Sequence, residues 1–300
     1  MINVRTSYAH ARSRSTIDFI ARDKRENRSR SRMRMRGLGL ILGLFLLSGG
    51  VISGGSTPKK GKFVPPDGKV LLIIGQDVTN IHAYVRATEE IPAGFTVYTS
   101  AEFADGLKTR MDQGGGLQHA QKIVDKYPNT VLQIGLWMVD TEEQILEGMV
   151  DESLDRLADW IKSTKRPVYL RIGYEFDYPK NHYDPKDYVL AYRSIVDRFR
   201  EQEVENVAYV WHSYAGYVPE PHQNWYPGDD YVDWVALSYF RGPETYREAF
   251  VKFANVKGKP LMIAEACPFL VPITFGLKSW KQWFLHSFSF IEEPDVKAFC

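Results

Sequence analysis

The feature that most constrains the fold of this chain is a series of eight short apolar runs that begins at residue 69. The runs cover residues 69–75, 94–98, 130–137, 167–175, 207–212, 232–240, 259–265 and 296–300. They are apolar almost throughout and do not alternate with polar residues, which is typical of strands buried on both faces of a parallel sheet. We therefore predict eight buried strands.

Several gaps between these runs have helical periodicity. Residues 142–162 place Ile145, Met149, Leu154, Leu157 and Ile161 near one stripe. Residues 184–203 do the same after an Asp-Pro pair that suits a helix N-terminus, and residues 246–253 and 280–291 complete the alternation. The pattern predicts a (β/α)8 TIM barrel over residues 68–300, with a doubly wound open sheet as the runner-up.

The last apolar run has barely begun where the chain stops at Cys300. We expect the barrel to be truncated within strand eight, without the end of that strand, its loop or a closing helix. Such a barrel would expose unpaired sheet edges.

Two glutamates stand at the ends of predicted strands, where TIM-barrel enzymes carry their reactive groups. Glu175 closes strand four and Glu265 closes strand seven. A carboxylate after an apolar run is costly unless it is paired or functional. The two strands approach each other across the barrel mouth, where a carboxylate pair suits glycoside hydrolysis. The same pair could serve other acid–base chemistry or form structural ion pairs.

Four further side chains are candidates for the site from their positions. Arg171 shares the inward face of Glu175 and would hold carboxylates or sugar hydroxyls, or form a structural salt bridge. His212 ends strand five, where it would contact sugar or Glu175, or belong to the core. Trp137 and Trp225 lie at or beyond strand ends, where aromatic faces stack on sugar rings.

Three segments carry a resemblance to a known family: residues 169–177, residues 225–234 leading into Ser238 and Tyr239, and residues 259–265. The chain resembles the clan A glycoside hydrolases and is most similar to family 26, the β-mannanase family. The resemblance implies that Glu175 is the general acid/base, that Glu265 is the nucleophile, and that a β-glycosidic bond is hydrolysed with retention. Glu175 must then be protonated in the first step.

The resemblance also implies substrate contacts. Tyr239 matches the tyrosine that hydrogen-bonds the nucleophile in such enzymes. Gln76 and Asp77, at the end of strand one, match polar substrate contacts. Tyr174 stands where family 26 normally has histidine, and we expect it to bind substrate.

The net charge of +1 conceals a strong segregation of charge along the chain. Residues 1–36 contain eleven basic and three acidic side chains, a net charge of +8, which leaves a net charge of −7 for the rest. The acidic remainder argues against a nucleic-acid binder, whose affinity depends on Lys and Arg neutralising phosphates.

The N-terminal region has the layout of an export signal. Residues 1–36 are basic, and we interpret them as a disordered n-region or a mis-started segment. Residues 37–55 contain a short apolar run followed by small residues, and residues 56–67 form a Pro/Lys linker. The apolar run is too short to span a bilayer, so it is typical of a secretory signal peptide. We expect a secreted or periplasmic protein, with membrane anchoring by residues 37–55 as the alternative.

No residue spacing predicts a metal site, and we expect no cofactor. Cys267 and Cys300 leave a disulfide and two free thiols equally open. The leading hypothesis is a monomeric, exported β-glycanase that acts on a plant or algal polysaccharide, with mannan as the first substrate to test. The alternatives are a non-catalytic carbohydrate-binding barrel and a barrel that performs different carboxylate chemistry.

Overall fold

The structure, a computed structural model, describes residues 61–112, 115–216, 222–240 and 244–300. The predicted basic segment, the predicted signal region and residues 56–60 of the predicted linker lie outside the described residues. Of the helices within the described ranges, none is long and apolar enough to cross a membrane.

Eight parallel strands form a closed barrel. They are β1 Leu71–Ile74, β2 Gly94–Ser100, β3 Val131–Trp137, β4 Val168–Ile172, β5 Val207–Ser213, β6 Trp234–Tyr239, β7 Leu261–Ala266 and β8 Val296–Phe299. Every strand pairs with its neighbours in the chain, and β8 also pairs with β1. The predicted (β/α)8 TIM barrel is confirmed, and the open sheet is wrong. The exposed edge expected at strand eight does not occur, because four residues suffice to pair on both sides.

Helices connect the strands and cover the outside of the barrel. They are α1 Val78–Thr88, α2 Ala120–Lys126, α3 Glu142–Leu146, α4 Asp151–Thr164, α5 Pro185–Glu201, α6 Glu244–Lys257, α7 Leu277–Ser279 and α8 Leu285–Glu292. The described residues also include a 3-10 helix (His222–Trp225), a π-helix (Trp280–Phe284) and an antiparallel pair of two-residue strands (Met111–Asp112 and Leu117–Gln118).

Helix α5 follows its sequence signals closely. Asp184 caps its N-terminus by accepting hydrogen bonds from the backbone N–H groups of Lys186 and Asp187, and Pro185 occupies the first turn. Its apolar stripe is fully buried. The stripe predicted over residues 142–162 is interrupted, because the chain turns between α3 and α4. Met149 lies in that turn and is 70% exposed.

The N-terminal end of the barrel interior is closed by residues 61–64, which we had assigned to a linker. Phe63 and Val64 pack against the interior apolar cluster. The Tyr169 hydroxyl donates to the Phe63 carbonyl at 2.7 Å, and the Trp234 indole N–H donates to the Lys62 carbonyl at 2.8 Å. Large interior aromatics need partners for their polar atoms, and this segment supplies them. The linker interpretation is therefore wrong for these four residues.

Candidate active site

A β-bulge aims Glu265 into the barrel. Leu237 of β6 lies opposite Ile263 of β7, but the next residue, Ser238, lies opposite Glu265. Strand β7 therefore contains one extra residue, Ala264, at this point. Strict alternation would turn Glu265 away from the interior, whereas the bulge re-aims it. Glu265 thus lies beside Ser238 at the C-terminal mouth.

Two donors converge on one oxygen of Glu265. The Tyr98 hydroxyl donates to Oε1 at 2.7 Å, and Nη1 of Arg171 donates to the same atom at 2.5 Å. Arg171 is fully buried, and its guanidinium carbon lies 5.1 Å from the ring centroids of both Tyr98 and Tyr174. Arg171 therefore holds a carboxylate, which is one of the roles predicted for it. The expectation that it contacts substrate is wrong, because the side chain has no exposed surface.

Gly135 makes room for the Tyr98–Arg171 pair. A Cβ atom at this inward position of β3 would lie 2.6 Å from the Tyr98 ring and 3.0 Å from Nη2 of Arg171. Sequence reasoning missed both Gly135 and Tyr98. The available signal was a glycine inside an otherwise apolar strand, which often marks a close approach of another group.

Glu175 lies in a tight turn directly after β4. Gly173 and Glu175 have φ angles of +53° and +54°, in the left-handed region that residues other than glycine rarely adopt. The Asn181 side-chain amide donates to the backbone carbonyl of Glu175 at 2.9 Å and stabilises the turn. Such a backbone conformation at a non-glycine residue is often found at functional sites.

Asp177 ties the same turn to the end of β5. Its carboxylate accepts hydrogen bonds from the Ser213 hydroxyl at 2.5 Å and from the Tyr214 backbone N–H at 2.6 Å. Burial raises the pKa of Asp177, and these hydrogen bonds offset that rise only in part. The loop that carries Glu175 is therefore fastened to its neighbouring strand.

The electrostatic surroundings of Glu175 favour its protonated form. Burial, and after it the negative charge of Glu265, raise the pKa of Glu175 from 4.5 to about 8. The opposing effects, a 2.6 Å hydrogen bond from the Ser238 hydroxyl to Oε1 and the charge of Arg171, are smaller. Glu175 can therefore hold a proton at neutral pH.

His212 is completely buried between the two glutamates. Its Nε2 lies 3.1 Å from the Ser238 hydroxyl oxygen, and its Nδ1 lies 3.4 Å from Nη1 of Arg171. Burial, followed by the charge of Arg171, holds the pKa of His212 well below its usual range. The expectation that His212 contacts sugar is wrong, because it has no exposed surface. It reaches Glu175 only through Ser238.

A cavity of about 530 Å³ opens beside Glu265 at the barrel mouth. Its lining comprises Gln76, Tyr98, Ser100, Glu102, Phe103, Met111, Gly115, Gln118, Trp137, Tyr174 and Glu265. Gln76, Trp137 and Tyr174 are thus brought together where they were expected. The rings of Trp137 and Tyr174 lie 5.9 Å apart, and Trp137 is 39% exposed, so its face is available to a ligand.

Asp77 does not contact the cavity as predicted. It is buried and caps the N-terminus of α1, where its carboxylate accepts hydrogen bonds from the backbone N–H groups of Thr79 and Asn80. Aspartate is among the preferred residues at this position because a helix leaves its first N–H groups without intrahelical partners. The sequence pattern of a strand followed by Gln-Asp did not distinguish a cap from a ligand contact.

Tyr239 also lies away from the nucleophile. It follows the inward Ser238 and therefore points out of the barrel. Its ring packs against Trp283 and Phe290, and the Arg247 guanidinium lies 4.7 Å from its centroid. The tyrosine hydroxyl bound to Glu265 comes from Tyr98 of β2, so the prediction for Tyr239 is wrong.

Trp225 belongs to the outer core. In the 3-10 helix it packs against Phe176 and Tyr188, with centroid distances of 5.4 and 5.7 Å. Its carbonyl accepts a hydrogen bond from the Trp211 indole. Trp225 is absent from the cavity lining given above, so its predicted stacking on sugar is wrong at this cavity.

Both cysteines are free thiols, so the disulfide alternative is wrong. Cys267 is exposed beyond the end of β7. Cys300 lies inside the barrel, 3.0 Å from the Thr96 hydroxyl, and burial raises its pKa to about 11. Within the described ranges, no group of three or more His, Cys, Asp or Glu side chains could hold a metal ion.

Solved structures share this fold. An endo-β-1,4-mannanase catalytic domain from Bacillus sp. JAMB-750 matches with a TM-score of 0.58 at 17% identity, over 77% of this chain and 76% of that chain. A family 26 β-mannanase from Bacteroides ovatus matches with a TM-score of 0.54 at 16% identity, over 78% and 80% of the two chains. At these identities the likeness shows the fold alone.

Two curated relatives have higher sequence identity to this chain than these solved structures have. A β-1,3-xylanase from an Alcaligenes species is 32% identical over 257 residues, and one from a Vibrio species is 32% identical over 261 residues. The matches cover 78% and 79% of this chain but 54% and 56% of the relatives, so the chain spans about half the length of the curated relatives it matches. The model of glycosyl hydrolase family 26 matches residues 116–274, more than half of the chain. The chain therefore belongs to glycosyl hydrolase family 26.

Proposed function

We propose that this protein hydrolyses β-glycosidic bonds with net retention, with Glu265 as nucleophile and Glu175 as general acid/base. One observation carries the proposal: the carboxyl groups at the ends of β4 and β7 interact electrostatically but have opposite surroundings. Glu265 is bound by a buried arginine, whereas Glu175 is partly buried and, among the described residues, accepts a side-chain hydrogen bond from the neutral hydroxyl of Ser238 alone. A pair of this kind separates a nucleophile from a proton donor.

The reaction follows in two steps. In the first step an oxygen of Glu265 bonds to the anomeric carbon while the glycosidic C–O bond breaks, and Glu175 gives its proton to the departing oxygen. In the second step the Glu175 carboxylate takes a proton from water, and the water oxygen bonds to the anomeric carbon and releases Glu265. Tyr98 and Arg171 position Glu265 throughout, and no other reactant is needed.

β-1,3-Xylan is the substrate we propose to test first. The curated relatives named β-1,3-xylanases are 32% identical over more than three quarters of this chain. The cavity supplies aromatic faces from Trp137, Tyr174 and Phe103 for stacking on pyranose rings. The family resemblance predicted mannan as the substrate, and mannan is therefore the second polysaccharide in the test.

The test measures new reducing ends when the purified chain is incubated separately with β-1,3-xylan, β-mannan, β-1,4-xylan and mixed-linkage glucan. We expect hydrolysis of β-1,3-xylan, with the β-anomer as the first product seen by proton NMR. Glu175→Gln and Glu265→Ala should each reduce hydrolysis by at least about 10²-fold. Ser153→Ala, at a buried serine on α4, serves as the control. Glycan binding without hydrolysis by the folded wild type would instead establish a carbohydrate-binding barrel. An α-anomer as first product would overturn the retaining mechanism.

We also propose that the protein is exported by means of residues 37–55. The basic, apolar and small-residue order of the first 55 positions supports this proposal. Expression of the full chain, followed by mass measurement of the protein in the medium and periplasm, tests it. Cleavage near residue 55 is the expected result. Recovery of the intact chain from membranes would favour the anchored alternative.

A further inference from the structure

A chain of hydrogen bonds joins the two glutamates through the barrel interior. It runs from Oε1 of Glu265 to Nη1 of Arg171, then to Nδ1 of His212, across the imidazole to Nε2, on to the Ser238 hydroxyl, and finally to Oε1 of Glu175. Arg171, His212 and Ser238 are at most 1% exposed. Water therefore does not compete for these contacts.

The direction of each hydrogen bond in this chain follows from its arginine. A guanidinium has only donors, so Nδ1 of His212 must accept from Arg171. Neutral histidine then carries its hydrogen on Nε2 and donates it to the Ser238 oxygen. Since Ser238 receives that bond, its own hydrogen is directed to Oε1 of Glu175, its other hydrogen-bond partner among the described residues.

We propose that Ser238 is a positioning residue for Glu175: by donating to Oε1, it leaves Oε2 to carry the proton that Glu175 transfers. A carboxylic acid has one hydrogen, and Oε1 already accepts one. If Oε1 carried the acid hydrogen, the hydroxyl hydrogen of the buried Ser238 would have no acceptor among the described residues, which is costly. The transfer of this proton to a glycosidic oxygen rests on the proposed function, whereas the hydrogen-bond direction does not.

The arrangement at Glu265 mirrors that at Glu175. Its Oε1 accepts hydrogen bonds from both Tyr98 and Arg171, and no described residue is hydrogen-bonded to its Oε2. In both glutamates the protein therefore holds Oε1 and leaves Oε2 for the substrate. Ser238 makes this possible at Glu175 because an arginine there would stabilise the anion and prevent proton retention.

The kinetic test is Ser238→Ala in the full chain. We expect kcat/KM on the polysaccharide to fall roughly 10- to 100-fold, because a displaced acid transfers its proton less efficiently. The kcat/KM for a dinitrophenyl glycoside, whose leaving group needs no proton in the first step, should change little. In a Glu175→Ala background, Ser238→Ala should have no further effect on the polysaccharide. Equal losses on both substrates would indicate a structural role and overturn the proposal.

A titration provides a readout that does not depend on activity. The charged and titratable groups around Glu175 are Glu265 from β7, Arg171 from β4, His212 from β5, and Tyr174 and Asp177 from its own segment. All five persist in Ser238→Ala, so loss of the donor should raise the pKa of Glu175, measured by carbon-13 NMR of labelled glutamate. Ser153→Ala is the control, and an unchanged titration in Ser238→Ala would overturn the proposal.

Nitrogen-15 NMR of His212 tests the direction of the chain. We expect one neutral tautomer with hydrogen on Nε2 at neutral pH, and a hydrogen on Nδ1 would overturn the proposed direction. A wild type that hydrolyses nothing, yet shows the expected tautomer and titration shift, would refute the glycosidase function. The hydrogen-bond assignment would stand.

Discussion

The ends of β4 and β7 each carry a glutamate at the C-terminal mouth of the barrel, but the surroundings of the two carboxyl groups are opposite. At β7, a buried guanidinium and a tyrosine hydroxyl bind Glu265. At β4, Glu175 has one neutral hydroxyl donor, and burial together with the nearby negative charge raises its pKa to about 8. Two residues of the same type thus differ in the groups that surround them, which is the difference that the proposed roles require.

The difference also has a consequence for stability. Glu265 neutralises Arg171, a fully buried charge, so its removal would leave that charge without its partner. Among the described residues, Glu175 forms no ion pair, and its partial burial makes the ionised form unfavourable. Removal of one glutamate should therefore destabilise the protein, whereas removal of the other should not.

The largest effect is expected for Glu265→Ala. Activity on the polysaccharide should fall roughly 10⁴-fold or more because the proposed nucleophile is lost. The free energy of unfolding should fall by about 3–5 kcal/mol because Arg171 is left buried and unpaired. Urea denaturation checks the stability, and Glu265→Gln, which keeps an acceptor for Arg171, should lose as much activity but less stability. Equal stability of wild type and Glu265→Ala would contradict the importance of the ion pair.

Glu175→Gln should reduce activity on the polysaccharide by about 10²- to 10⁴-fold, the usual contribution of a general acid. Its effect on stability depends on pH. The pKa of Glu175 in the folded state is raised above 4.5, so wild type loses stability relative to the variant as pH rises from about 4.5 to about 8. The Tm of Glu175→Gln minus that of wild type should therefore be larger at pH 9 than at pH 5. A constant difference would indicate that Glu175 is not buried as described.

Tyr98→Phe is expected to have a smaller effect. It removes one of the two donors to Glu265 and should lower kcat/KM roughly 10- to 100-fold. Tyr239→Phe is the matched control, because that side chain packs outside the barrel against Trp283 and Phe290. A larger loss in Tyr239→Phe than in Tyr98→Phe would restore the original interpretation of the sequence.

The smallest predicted effect concerns the wild type and its pH profile. The first step needs protonated Glu175, so kcat/KM on the polysaccharide should fall as pH rises through about 8, and by about tenfold from pH 7 to pH 9. For a dinitrophenyl glycoside, which needs no proton, the same limb should be absent. Identical alkaline limbs on both substrates would assign the titration to another group.

The sequence predicted the fold well because its signals are local and repeated. Continuous apolar runs indicated buried parallel strands, and an Asp-Pro pair indicated the start of α5. Glu175 and Glu265 were identified because a carboxylate after such a run is costly without a function. The closure of the N-terminal end of the barrel by residues 61–64 was missed. A Pro/Lys composition does not indicate which interior aromatic side chains need hydrogen-bond partners.

The errors at the site have a common cause. Asp77, Trp225 and Tyr239 were assigned to the site from their positions at or beyond strand ends. The direction of a side chain, however, depends on strand register and on where the neighbouring helices begin. The bulge at Ala264 reverses the inward–outward alternation of side chains for Glu265, and no sequence pattern predicts this bulge. Tyr98 was missed because its partner is 167 residues away.

The sequence by itself determined eight strands in order, two glutamates at the ends of two of them, and an acidic folded region behind a basic N-terminus. The tertiary structure decided which of these glutamates is paired with Arg171 and which is kept neutral. It also decided that Gly135 makes space for that pairing and that Ser238 completes a hydrogen-bonded chain. Patterns along the chain report burial, whereas the charge state of a carboxyl group depends on groups that only folding brings together.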